Sequence, residues 1–302
     1  MKKLLTTALL FLAPTVAQAQ LGVSIALERT SFIKHEAIIA VVTVRNLAGK
    51  DVALGGPGEI GWLQINIERS DGTSVLPTAG GPKADTTMLK EGAAVTRRIN
   101  VTNFFPLEEP GSYLLSCSAY FPGLQRWLNS ENKMLFRVGS PRAAFWERTI
   151  GVPSGHPAAG HYRRYKLFTG KSSALTPAGS AEVQLLYLSI SDEETEDNIV
   201  TFALGPILTY RDPQATTDRT GNLCVLYMSG PQMYQYVSLD VDGAVLEDKA
   251  YKPVGDAAPQ LMQAKAGNVS VRGGALYDAI AEEDTRRTQQ KQLRSLSDRP
   301  KP

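Results

Sequence analysis

Val23-Ser-Ile-Ala-Leu-Glu-Arg29 places valine, isoleucine and leucine on one parity and serine, alanine and glutamate on the other. A chain whose side chains repeat every two residues turns one set to a core and the other to water, so the stretch predicts a half-buried β-strand. The same reading extends outward. Ala37 to Arg45 is rich in β-branched residues, and Ile60 to Arg69 carries Trp62, Leu63, Ile65 and Ile67. Val95 to Val101, Ser112 to Phe121 and Lys133 to Val138 continue the series. Asp71-Gly72 marks a tight hairpin, because both residue types tolerate positive φ. Short strands at this spacing, separated by glycine and proline, predict a β-sandwich over residues 20–140.

Glu109-Pro-Gly-Ser-Tyr-Leu-Leu-Ser-Cys117 sharpens that expectation. It resembles the Gly-x-Tyr lead-in to a late strand of immunoglobulin-like domains, in the cysteine-poor form found in bacterial exported proteins. The resemblance covers residues 21–140 and implies an immunoglobulin-like sandwich in which the Tyr113 hydroxyl ties the corner to upstream backbone. Tyr113 stands four residues before Cys117 rather than two, and the early-strand cysteine is absent. The antibody-type disulfide is therefore not implied.

The N-terminus sets the compartment. Lys2 and Lys3 precede an apolar run from Leu4 to Ala13, and Ala17-Gln18-Ala19 is a small-x-small cleavage site. Residues 1–19 read as a secretory signal peptide cut after Ala19, leaving Gln20 first. The apolar run of about ten residues is half of what a bilayer span needs. The position after the cut is not cysteine, so no lipoprotein anchor is expected, and no later apolar run is long enough to span. The protein is expected to be exported, periplasmic or extracellular. The 32 basic residues come level with the 30 acidic ones once Lys2 and Lys3 depart. A neutral chain has no electrostatic footprint for nucleic acid or anionic membrane. Export permits a disulfide, and the sequence leaves open whether Cys117 and Cys224 pair.

Length suggests about two domains. Residues 141–162, with three prolines and three glycines, read as a linker, partly docked through Phe145 and Trp146. Residues 163–274 are again strand-rich and self-similar. Glu182-Val-Gln-Leu-Leu-Tyr187 matches Asn222-Leu-Cys-Val-Leu-Tyr227 at an offset of 40, and Gly221-Asn222-Leu223 echoes Gly267-Asn268-Val269 at 46. These offsets approach the length of a four-stranded blade, so the segment has a likeness to β-propeller repeats. With room for two to three blades, a β-meander domain of blade-like hairpins is expected rather than a closed ring. Residues 275–302 read as a polar tail, helical or disordered. The fold class is thus all-β.

No catalytic signature emerges. Ser31-Phe-Ile-Lys34 has the spacing of penicillin-binding enzymes without their other elements. Gly170-Lys171-Ser172 ends like a phosphate loop, but Tyr165 stands where the first glycine belongs. His156 and His161 are separated by Pro157 and Gly160, against a shared metal on a helix. Asp240-x-Asp242-Gly243 is explained by a hairpin turn rather than a calcium loop. The acidic run Asp192, Glu193, Glu194, Glu196 and Asp197 is the candidate for a divalent cation or a basic partner, set against a solvated loop that blunts edge pairing. Tyr234 and Tyr236 share one strand face and are the candidate binding surface, set against ordinary sheet packing. No cofactor is expected. The reading is a non-enzymatic binding or interaction protein of the bacterial envelope, its partner a protein or a glycan. The alternatives are a hydrolase acting on a polymer, using acids from Asp192 to Asp197 or Asp240 and Asp242, and, from the immunoglobulin-like resemblance alone, a proteinase inhibitor.

Overall fold

The computed structural model describes residues 21–55, 61–78, 80–82, 85–142, 144–176 and 179–278. The expected signal peptide, with its expected cleavage after Ala19, and the tail beyond residue 278 lie outside these. The chain is all-β. In order, the strands are β1 Leu21–Leu27, β2 Ser31–Ile33, β3 Ile39–Asn46, β4 Val52–Leu54, β5 Leu63–Arg69, β6 Ser74–Val75 and β7 Thr87–Leu89. There follow β8 Ala94–Asn100, β9 Gly111–Phe121, β10 Arg126–Asn129, β11 Met134–Gly139, β12 Ala144–Gly151, β13 Tyr162–Thr176 and β14 Gly179–Asp192. The last are β15 Asn198–Pro206, β16 Gln214–Thr217, β17 Leu223–Gly230, β18 Met233–Leu239, β19 Val245–Pro253, β20 Gln260–Gln263, β21 Val269–Arg272 and β22 Gly274–Leu276. No helix among the described residues is long and apolar enough to cross a membrane.

Two compact units divide the chain. Among the described residues, the first holds 21–28, 39–106 and 113–135, and the second holds 29–38, 107–112 and 136–278.

In the first unit, β3 lies between β1 and β8, all antiparallel. The alternation in the sequence is the alternation in space: Val23, Ile25 and Leu27 are buried, as are their neighbours Val42 and Val44. The free edge of β1 is closed by Asn132. Its side chain accepts from Ile25 N–H at 3.0 Å and donates to Ile25 C=O at 2.6 Å. A second sheet pairs β5 with β9 and β6, and β9 with β10. Leu63, Ile65 and Ile67 sit opposite Ala119, Cys117 and Leu115, and this whole face is buried. Tyr113 is buried opposite Arg69, whose guanidinium lies 5.8 Å from the ring centre. The Asp71-Gly72 hairpin forms as expected, with Gly72 at φ +86° and Asp71 accepting from Thr73 N–H at 2.8 Å.

The second unit stacks antiparallel meanders. One is β12-β13-β14-β15, the other β16-β17-β18-β19-β22. A single core takes Leu167, Leu186 and Leu188 from the first and Val225, Tyr227 and Val237 from the second. The opposite face of β14 carries Tyr187, stacked on Phe168 with ring centres 5.7 Å apart and packed against Ile33 of β2. The opposite face of β17 and β18 carries Leu226, Tyr234 and Tyr236 and is covered by the β20–β21 hairpin. The two matched hexapeptides fall on β14 and β17. Tyr187 and Tyr227 each face the layer that precedes theirs, and Leu186 and Leu226 the layer that follows.

Two boundaries differ from expectation. Residues 144–151, placed in the linker, form β12 and pair with β13 from Trp146 to Gly151. Trp146 and Ile150 pack on the core, so the apolar content of the stretch outweighs its flanking prolines and glycines. Ala275 and Leu276, placed in the tail, belong to β22 and pair with Lys252 and Tyr251.

Candidate functional site

The acidic run is a loop between β14 and β15, but two of its carboxylates are already engaged. Asp192 Oδ1 accepts from the N–H groups of Thr195 and Glu194 at 3.2 and 3.0 Å, while Oδ2 contacts the Arg163 guanidinium. Glu193 receives both Arg164 Nε and Nη2 at 2.7 and 2.6 Å, plus the Thr149 hydroxyl at 3.1 Å. The register of the β13–β14 hairpin puts Arg163 opposite Asp192, which pairing by sequence distance does not show. His161 stands 3.7 Å from Asp192, and His156 Nε2 lies 3.0 Å from Asp242. Arg163 thus sits between Asp192 and Asp242, and its buried Nε has no hydrogen-bond partner among the described residues. Among the described residues no group of three or more His, Cys, Asp or Glu side chains converges for a metal. In the acidic run, Asp192 and Glu193 form arginine ion pairs, while no ion pair to Glu194, Glu196 or Asp197 is seen among the described residues.

Hydrogen bonds from Thr195 and Glu194, with the Arg163 charge, hold the Asp192 carboxyl below the ordinary range. A depressed folded-state value stabilises the fold above the unfolded value and loses that contribution as pH falls through the folded one. Asp192→Asn is therefore expected to flatten the loss of stability below about pH 4, measured as urea midpoints from about pH 6 down to pH 3. An unchanged acid limb would contradict this.

The Asp240-x-Asp242-Gly243 element is a hairpin turn, as expected. Asp240 N–H and Ala244 C=O close it at 3.0 Å, Gly243 takes φ +89°, and Asp240 Oδ1 accepts from Asp242 and Ala244 N–H. Tyr234 and Tyr236 do share a face, but both are buried beneath the β20–β21 hairpin, so they do not form an exposed binding surface. The Tyr236 hydroxyl donates to Cys224 Sγ at 3.4 Å. Cys117 and Cys224 are free, buried thiols, each in the core of a different unit. Burial pushes the Cys117 thiol up to about 11, which disfavours a reactive thiolate there.

A groove of about 510 Å³ opens elsewhere in the second unit. Its floor is β2 against β13. Gly170 permits that approach, since a Cβ there would stand 2.2 Å from Ile33 Cδ1 and 2.8 Å from Tyr187 Cε2. Arg137, Arg142 and Lys171 line it together with Ser31, Ser140 and Ser172, the Ser172 hydroxyl donating to Ser31 C=O at 3.4 Å. Glu182 pairs with Lys171 at 2.5 Å; Arg137 and Arg142 are exposed and have no ion pair among the described residues. Ser31 and Gly170-Lys171-Ser172, which the sequence excludes as catalytic elements, meet in this groove. Nothing local signals it, because its parts come from three distant segments.

Beneath the groove, Arg29 bridges Glu36 and the Tyr187 hydroxyl, the latter at 3.2 Å, and Glu36 also accepts from Ile33 N–H at 3.0 Å. Burial pushes the Glu36 carboxyl above its ordinary value despite Arg29, and the Tyr187 hydroxyl up to about 12.

No protein-family model matches the chain, and no curated protein sequence matches it. Among solved structures, the sporulation control protein Spo0M from Bacillus subtilis aligns at 10% identity over 61% of this chain and 90% of its own, with a TM-score of 0.27. The periplasmic chaperone SfaE aligns at 16% identity over 74% and 97%, with a TM-score of 0.22. The Salmonella enterica SafA pilin in complex with the SafB chaperone aligns at 13% over 76% and 96%, with a TM-score of 0.20. Likenesses this loose carry no argument about what this chain does.

Proposed function

We propose that the chain is an exported, non-enzymatic binding protein of the bacterial envelope, and that the groove of the second unit holds an anionic group of its partner. The observation that carries this reading is the pair of guanidinium groups with no ion pair among the described residues, Arg137 and Arg142, in a groove that serines also line. A guanidinium presents a planar fork of donors that matches a carboxylate or phosphate, and hydroxyl donors complete the shell. A hydrolase drawing on the acidic loop has less support. Asp192 and Glu193 are paired with arginines that help hold their carboxyls low, against the raised carboxyl that general-acid chemistry requires, and Asp240 is spent on its own turn.

The test is titration calorimetry of the chain from Gln20 onward with polygalacturonate and, separately, with inorganic phosphate. Saturable binding is expected, weakening with salt as screening requires. Arg137→Gln combined with Arg142→Gln is expected to lower the affinity about tenfold or more, while leaving the unfolding transition unchanged, since both side chains are exposed. Binding that ignores the double substitution, or no binding of either anion, would contradict the reading.

A further inference from the structure

We propose a second, separate binding face on the first unit: the outer side of the β5–β9–β10 sheet takes a neutral sugar chain. The inner parity of these strands is buried, so Gln64, Asn66, Ser116, Ser118, Tyr120, Trp127 and Asn129 share the outer side. The register sets them in rows. Ser118 lies between Gln64 and Asn129, Ser116 faces Asn66, and Tyr120 faces Trp127. The row ends in an edge-to-face aromatic pair, with the two ring centres 5.4 Å apart at 62° and the indole only partly buried.

Two features point to carbohydrate. Aromatic rings on a sheet offer flat apolar surface with a polar edge, which suits the alternating apolar faces and hydroxyl rims of a sugar. The neighbouring side chains are uncharged and already ordered: Asn66 Nδ2 donates to Ser118 Oγ at 3.3 Å, and Ser118 Oγ donates to Asn129 Oδ1 at 3.2 Å. That chain leaves Asn66 Oδ1 as an acceptor and Asn129 Nδ2 as a donor, both on exposed residues and with no partner among the described residues. A sugar hydroxyl both donates and accepts, so it satisfies either. From Tyr120 to Ser116 the strand runs about 14 Å, room for more than one ring. Nearby, the Glu68 carboxylate has Lys133 at 3.8 Å, so the rows themselves present no net charge to select an ion.

The test is native electrophoresis of the chain from Gln20 onward through gels containing a neutral polysaccharide: β-glucan, xylan or mannan. Retardation in at least one gel is expected, and it should persist at about 0.5 M salt, because no ion pair is involved. Trp127→Ala should weaken it about tenfold and Asn66→Ala by less, while Trp127→Phe keeps an aromatic ring face and retains most of it. Arg137→Gln with Arg142→Gln should leave it unchanged, which separates this face from the groove. Circular dichroism melts establish that each variant is folded. No retardation in any of the three gels, or retardation that survives Trp127→Ala in a folded protein, would overturn the proposal.

Discussion

Arg29→Met is expected to lower the free energy of unfolding by about 3–5 kcal/mol near neutral pH, one of the two largest effects among single substitutions in the second unit. Glu36 is 3% exposed, and its carboxylate is held by the Arg29 guanidinium, the Ile33 N–H and the Tyr187 hydroxyl. Removing one member of a buried pair leaves the other charge without compensation in a medium that solvates it poorly. Tyr187 loses its 3.2 Å contact with Arg29 at the same time. The pH dependence follows from the sign of the shift. Burial already raises the Glu36 carboxyl above its ordinary value with Arg29 present, and removing the cation raises it further. A raised folded-state value means that the fold binds the proton more tightly than the unfolded chain. The contribution is therefore full below the unfolded value and is lost as pH rises through the folded one. The deficit of Arg29→Met should be largest near pH 8 and shrink toward about pH 5. Urea unfolding of both proteins at the two pH values measures it. Adding Glu36→Gln should recover part of the loss at pH 8, because the neutral amide keeps an acceptor for Ile33 N–H. An equal deficit at both pH values would contradict this account of the pair.

Leu188→Ala is expected to cost about 2–5 kcal/mol. Leu188 is 0% exposed and lies on β14, on the face shared with the second meander. The substitution removes both the transfer of its branched end from water and the contacts that Val225, Tyr227 and Val237 make around the space it leaves. Position, not residue type, sets the size: Leu135, 61% exposed in the first unit, should cost less than about 0.5 kcal/mol when cut to alanine. Denaturant unfolding of the two variants checks the contrast. Similar losses would mean that Leu188 does not sit in a close-packed interior.

Alternation carried most of the fold because it is a local signal. Val23, Ile25 and Leu27 declare a strand with no knowledge of β3. The strands it missed, β2, β4, β6, β7 and β10, have two to four residues each, too few to show a period. β12 was hidden by the prolines and glycines around it, although Trp146 and Ile150 were the apolar residues that pinned it. The candidate site was less legible, because its geometry is non-local. The pairing of Asp192 with Arg163 comes from hairpin register, and the burial of Tyr234 and Tyr236 comes from a hairpin some thirty residues later in the chain. The groove needs β2, the end of β11 and the middle of β13 in one place, and the sequence displays those only as unrelated fragments.

The most direct test of the binding role is hydrogen exchange of the chain from Gln20 onward, with and without polygalacturonate, followed by sizing of the polymer. The expected result is protection confined to the segments around Ser31–Ile33, Arg137–Arg142 and Gly170–Ser173, with the polymer recovered at its original length. Protection centred on Asp192–Asp197 and Asp240–Gly243, or a polymer shortened with time, would contradict it.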